Sequence, residues 1–339
     1  MADYTEYAAP SADWVALEPS LPKLPEVSVE ELKQLLNKSR EDIATQAMSS
    51  GTHLPTCRRG SLRASPLYIH IHGGGFLFGT LASEDGICSR IVTSRAEKDE
   101  PIVVLNVNYR HTPEYRYPTA WDDIEDAFVW AHENIAEIGG LSDQVVVGGI
   151  SAGGQLTASL ALAQLRGENK KLAACPRIRG QVLMIPCLVQ SDYYGSRLDL
   201  LKSPELSSYK QCAQAPILPV DRINMFMSLL GVVGVGGAEK DLRMNPGNAS
   251  AEDVKALPPT TFGIAGNDPL RDEGLFYAKL LNDNGVPIDV HVFRGVPHGF
   301  RRFGDKLASS SKYWDQVMSD GITWALSNPP AGAFEIISD

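Results

Sequence analysis

The 339-residue sequence predicts an α/β architecture: a mostly parallel central sheet with helices on both faces and a helical cap. Three observations carry this. From residue 66 onward, short runs rich in Val, Ile and Leu alternate with amphipathic stretches. Those runs are little interrupted by polar residues, as strands buried on both faces should be. Their spacing leaves room for a helical crossover between successive strands, which makes neighbours parallel.

Taken in order, the chain opens with a Pro-rich lead (Pro10, Pro19, Pro22, Pro25). A helix then starts at Ser28, with Glu31 three residues on completing a capping box. Residues 48–66, including Arg58-Arg59, show little β alternation. Strands are expected at 67–71, 102–107, 145–148, 181–185, 261–265 and 288–293. The clearest helix is 120–135, where Trp121, Ile124, Phe128, Ala131 and Ile135 recur at steps of three and four. Further helices are expected at 154–165, 272–284 and 313–326. Residues 188–247 break the rhythm with a Pro/Ser-rich loop, a Met-rich helical piece at 224–230 and a Gly-rich run at 231–237. That stretch is too long for an ordinary loop and reads as an inserted cap or lid. The expected division is a catalytic unit of 51–187 and 248–339, with a discontinuous cap of 1–50 and 188–247.

Composition narrows the function classes. With 31 basic against 41 acidic side chains the net charge is −10, which argues against binding a nucleic-acid backbone. No apolar run approaches the roughly 18 residues of a membrane span. Five cysteines (Cys57, Cys88, Cys175, Cys187, Cys212) show no zinc spacing and read as free thiols in a reducing compartment. The N-terminal residues lack a basic region followed by an apolar one, so a cytoplasmic protein is expected.

The strongest local signal is Gly149-Ile150-Ser151-Ala152-Gly153, set between a strand and a helix. That context is a nucleophile elbow, in which flanking glycines leave room for a turn that lifts the serine hydroxyl above the sheet. Upstream, His72-Gly73-Gly74-Gly75-Phe76 directly follows a strand. Its glycines free backbone N–H groups to point at a developing oxyanion, with the N–H of Ala152 as partner donor. A phosphate loop is excluded because no Gly-Lys-Ser/Thr follows. A serine nucleophile needs a base and a residue to orient it. Among seven histidines, His298 sits just after the last expected strand, and Asp268 just after the strand before it. Both fall at carboxyl ends of strands, where open parallel sheets bind ligands. Asp272, four residues on, better suits the start of the following helix. His53, His111, His132 and His291 read as surface or core residues.

Together, His72-Gly73-Gly74-Gly75-Phe76, Gly149-Ile150-Ser151-Ala152-Gly153-Gly154, Asp268-Pro269-Leu270-Arg271-Asp272-Glu273-Gly274 and His298-Gly299-Phe300 resemble the hormone-sensitive-lipase-like family of α/β-hydrolases. Tyr109-Arg110, Pro113-Glu114 and Tyr117-Pro118 also fit its pattern. The resemblance implies a triad of Ser151, Asp268 and His298, oxyanion donors at Gly74, Gly75 and Ala152, and a structural rather than basic His72. It implies hydrolysis of small to medium uncharged acyl or aryl esters with neither metal nor organic cofactor. It also implies a cap, and often pairing into homodimers through an edge strand or outer helix. The sequence departs from the family in three places. Ile150 stands where an acidic residue is usual beside the nucleophile. The leading hairpin is not evident in 48–66. Met225, Phe226 and Met227 have no counterpart, and core packing is the reading favoured over lining an acyl pocket. Acyl transfer, lactone opening or release of a carrier-bound product would use the same triad, and a non-catalytic receptor on this scaffold would ordinarily lose the histidine that this chain keeps.

Overall fold

A computed structural model describes residues 1–22, 25–49, 64–234 and 236–339. Seven strands form one parallel sheet in the order β2-β1-β3-β4-β5-β6-β7. They are β1 (Ser65–Ile71), β2 (Val103–Val107), β3 (Gly140–Ile150), β4 (Gly180–Met184), β5 (Thr260–Asn267), β6 (Ile288–Pro297) and β7 (Ile337–Ser338). The helices that matter below are α1 (Ala12–Leu17), α2 (Val29–Ser49), α3 (Leu81–Glu97), α4 (Thr119–Glu133), α5 (Ala152–Arg166), α6 (Val220–Leu230), α7 (Arg271–Asp283) and α8 (Ala308–Leu326).

Strand alternation divides the interior in two. Val145 and Val147 join a core with Leu183, Phe262 and Ile264, packed under α4, α5 and α7. Val146 faces the other way with Val182, Met184 and Phe293, against Ile91 of α3 and Trp314 of α8. Period-two side chains on strands covered twice give this arrangement, and it explains why the strands read as continuous apolar runs. Trp14 of α1 is wholly buried in the second core, its ring 5.7 Å from that of Phe303.

All six expected strands are present. β3 begins earlier than its apolar stretch, at Gly140, because the exposed Ser142 and Asp143 carry no hydrophobic signal. The 120–135 helix stops at Glu133, with Asn134 at φ −111° and ψ 16° starting a separate short turn. The capping box at Ser28 forms as expected: the Glu31 carboxylate accepts from Ser28 N at 3.0 Å, and Glu31 N donates to Ser28 Oγ at 3.3 Å. Cys88, Cys175, Cys187 and Cys212 are free thiols. Cys57, His53, Arg58 and Arg59 lie outside the described residues. Among the described residues, no helix is long and apolar enough to cross a membrane.

Candidate active site

The sheet order sets where a site can form. From β1 the chain crosses to β2 on one side, whereas from β3 it proceeds to β4 on the other. The crevice beyond the carboxyl ends of β1 and β3 is therefore the topological switch point, the usual ligand position in such sheets. The glycine loop after β1 and Ser151 after β3 both fall there.

Ser151 sits at φ 56° and ψ −115°, a conformation that side-chain-bearing residues rarely adopt. Its N–H donates to Met184 O at 2.8 Å and its carbonyl accepts from Gln155 N at 3.0 Å, so both neighbours hold the turn. The flanking glycines are needed for space. A Cβ on Gly149 would strike the Gly153 carbonyl, and one on Gly153 would strike the carbonyl of Ile71.

His298 follows β6 directly and is buried. Its Nδ1 is 2.7 Å from Asp268 Oδ2, and its Nε2 is 2.9 Å from Ser151 Oγ. A neutral imidazole with its proton on Nδ1 donates to the carboxylate and accepts from the serine hydroxyl. The other oxygen of Asp268 accepts from Leu270 N at 2.9 Å, which fixes the carboxylate plane. Asp272 is pointed elsewhere: it accepts from Ser208 N and from Arg271 Nε, both at 2.8 Å. Thus Ser151, Asp268 and His298, from the ends of three strands, meet in one chain of hydrogen bonds. The other described histidines stand apart. His111 packs on His72 and Tyr109, His132 on Phe128, and His291 bonds the Tyr313 hydroxyl.

The glycine loop supplies donors. Gly74 and Gly75 have φ of 138° and 59°, and the chain turns so that Leu77 N and Phe78 N both donate to Gly74 O. The N–H groups of Gly74, Gly75 and Ala152 find no acceptor among the described residues. His72 is not free to act as a base, because its ring nitrogens meet Gly73 O at 2.9 Å and the Asn108 side chain at 2.8 Å. Burial holds it below the usual imidazole range.

Sequence reasoning missed the residues that brace this loop. Arg40, in the middle of α2, donates from Nη1 to Gly73 O at 2.8 Å and from Nη2 to Glu84 at 2.5 Å. Glu84, in the first turn of α3 and wholly buried, also meets His70 Nε2 at 2.9 Å. Burial works against its charge, but Arg40 and then His70 overcome that and hold Glu84 well below the ordinary carboxylate range. A depressed folded-state pKa gives stability that is present above the unfolded value and lost as pH falls through the folded one. Glu84→Gln is therefore expected to lose about 3–5 kcal/mol at neutral pH. Its deficit against the parent should shrink progressively below about pH 4.3. Urea unfolding at neutral and acid pH measures this, and a pH-independent deficit would contradict it.

A cavity of about 290 Å³ opens beside Ser151 and His298. Apolar side chains form much of its wall, including Phe78, Ile150, Ile217, Leu218, Phe226 and Met227. Phe226 and Met227 are both buried and wall-forming, so both the packing and the pocket reading are met for them, whereas Met225 is half-buried and borders a separate cleft with Pro25 and Leu32. Phe226 lies so close over Gly75 that any Cβ there would enter its ring. Among the described residues, no three His, Cys, Asp or Glu side chains cluster as metal ligands would.

Comparison with known proteins accords with the fold. A family profile described as alpha/beta hydrolase fold matches residues 68–302. The chain is 32% identical over 251 residues to esterase LipI of Mycobacterium tuberculosis, spanning 73% of this chain and 68% of that protein. It is 36% identical over 246 residues to an arylesterase of Saccharolobus solfataricus, spanning 70% and 71% respectively. An esterase structure from Pyrobaculum calidifontis superposes with a TM-score of 0.75 at 24% identity, covering 94% of this chain and all of that one.

Proposed function

The chain belongs to the α/β-hydrolase fold family, and on that footing we propose that it is a serine carboxylic-ester hydrolase acting through an acyl-enzyme. The observation that carries the proposal is the unbroken hydrogen-bond chain from Asp268 through His298 to Ser151 at the foot of a largely apolar cavity. The similar proteins named as esterases support the same reaction class.

Ser151 Oγ attacks the ester carbonyl while His298 Nε2 takes its proton. Asp268 keeps the imidazole in the required tautomer and stabilises the imidazolium that forms. The N–H groups of Gly74, Gly75 and Ala152 receive the charge that gathers on the carbonyl oxygen. As the tetrahedral intermediate collapses, His298 returns the proton to the departing alcohol, leaving Ser151 acylated. Water then attacks the acyl carbonyl with His298 again as base, the carboxylic acid leaves, and Ser151 regains its hydroxyl. Ile150, in the wall beside the nucleophile, offers the acyl chain an apolar contact where a carboxylate would demand water.

In this reading α2 and the 188–247 segment with α6 act as a cap. Leu36, Arg40 and Ile43 from α2 and Ile223, Phe226 and Met227 from α6 line the cavity over the sheet's carboxyl end. Incubation with a fluorophosphonate and peptide mass mapping tests the proposal. The expected result is one adduct, on Ser151, with parallel loss of activity on short p-nitrophenyl esters. An unlabelled Ser151, or full activity after complete labelling, would overturn it.

A further inference from the structure

The cavity beside Ser151 carries charge of the opposite sign to the chain as a whole. The protein has a net charge of −10, yet among the described residues five arginines line this space. Among the described residues that line it, Glu84 is the only carboxylate. Arg40 is matched by Glu84 at 2.5 Å. Arg90 and Arg301 must share Asp315, at 3.2 and 2.6 Å. Arg222 and Arg302 meet no carboxylate among the described residues.

These last two line the same cavity from different segments of the chain. Arg302 lies four residues beyond His298, and Arg222 occupies the first turn of α6, the helix whose Phe226 covers Gly75. Arg222 gives Nη1 to Ile217 O at 2.8 Å, which anchors the guanidinium and leaves its other donors unused. Arg302 stands over the Phe303 ring at 5.0 Å and is exposed while lining the cavity, so it sits where the cavity meets solvent. Enclosure by surrounding protein, then the like charges of Arg40 and Arg222, lower its pKa to about 10, still cationic at neutral pH. A cation crowded by like charges is relieved by an incoming anion. The guanidinium fork suits a carboxylate in particular.

We infer that Arg222 and Arg302 form a carboxylate-binding subsite, so that the preferred substrate is an ester bearing a free carboxylate at its far end. Such a molecule is a monoester of a dicarboxylic acid or an acylated hydroxy acid. The apolar wall accommodates the carbon chain between the reacting carbonyl and the charge. This rests on the esterase reading and narrows its substrate class.

Two shape-matched pairs test it, one for each side of the ester. Monoethyl succinate is compared with ethyl 4-methylpentanoate, and 4-acetoxybutanoate with 4-methylpentyl acetate, by acid release at neutral pH. In at least one pair the charged member should be favoured in kcat/KM by about tenfold or more. Arg302→Gln and Arg222→Gln should each cut that ratio by about tenfold, chiefly through KM of the charged ester, with Arg302→Lys retaining part of it. Added salt should narrow the preference. Equal or better turnover of the neutral member in both pairs would overturn the inference, as would a ratio unmoved in folded Arg302→Gln and Arg222→Gln. Should Arg302→Gln not fold, Arg222→Gln and Arg302→Lys decide the same question. Turnover of neutral esters alone defeats only the subsite; turnover of none defeats the esterase reading and the subsite with it.

Discussion

Alanine at Ser151 is expected to lower kcat on a short aryl ester by about a million-fold, and alanine at His298 by about as much, because each acts only through the other. The two losses should not add. Once the hydroxyl is gone, an imidazole with no proton to accept contributes nothing, so the double variant should be no slower than either single one. What remains should be a small rate above water, from the donors of the glycine loop and from binding alone. Asp268→Asn should lose about ten-thousand-fold, since an amide can fix the imidazole in the wrong tautomer. Single-turnover and steady-state assays of the four variants measure the pattern. Additive losses, or a His298→Ala variant within tenfold of the parent, would show that these residues do not share one proton path.

Gly75→Ala is expected to cost about 100- to 1,000-fold in kcat with little change in KM, the size of losing one oxyanion donor. Two causes combine. The φ of 59° is open to glycine but strained for alanine, and the added Cβ would enter the Phe226 ring. Either the ring or the peptide must move, and the peptide carries the donor. A second change separates the causes. Phe226→Ala in the Gly75→Ala background removes the obstacle and should recover a measurable part of kcat, while the backbone strain stays. A Gly75→Ala variant with parental kcat would remove the Gly75 N–H from the reaction.

The proposed site was legible in the sequence because Ser151, Asp268 and His298 each directly follow a strand and the loops around them carry residues chosen for backbone reasons. Gly149 and Gly153 mark a turn with no room for a Cβ, and the glycines after His72 mark a loop that turns through positive φ. Such demands are local and leave local traces. The bracing of the loop left none. Arg40 is an ordinary helix residue 33 positions from the carbonyl it holds, and Glu84 is unremarkable until burial removes its water. α3 leaves no periodic trace in the sequence for a related reason. Its buried positions include Ser83, Glu84, Gly86, Ser89 and Arg95, so the inward face is not an apolar stripe. β7 is two residues long and owes its existence to pairing with His291 and Val292 rather than to any pattern of its own.

The contact between Arg40 and Gly73 has a thermodynamic corollary. One guanidinium belongs to α2, and its acceptor is the carbonyl of the very peptide group whose N–H, that of Gly74, is the first proposed oxyanion donor. A shift of α2 therefore cannot leave the loop's free energy untouched. By linkage the converse holds by the same factor: any ligand that prefers the loop in its donor-ready form must equally favour α2 in its docked position. A transition-state analogue held at Ser151 should accordingly slow amide hydrogen exchange across the middle of α2.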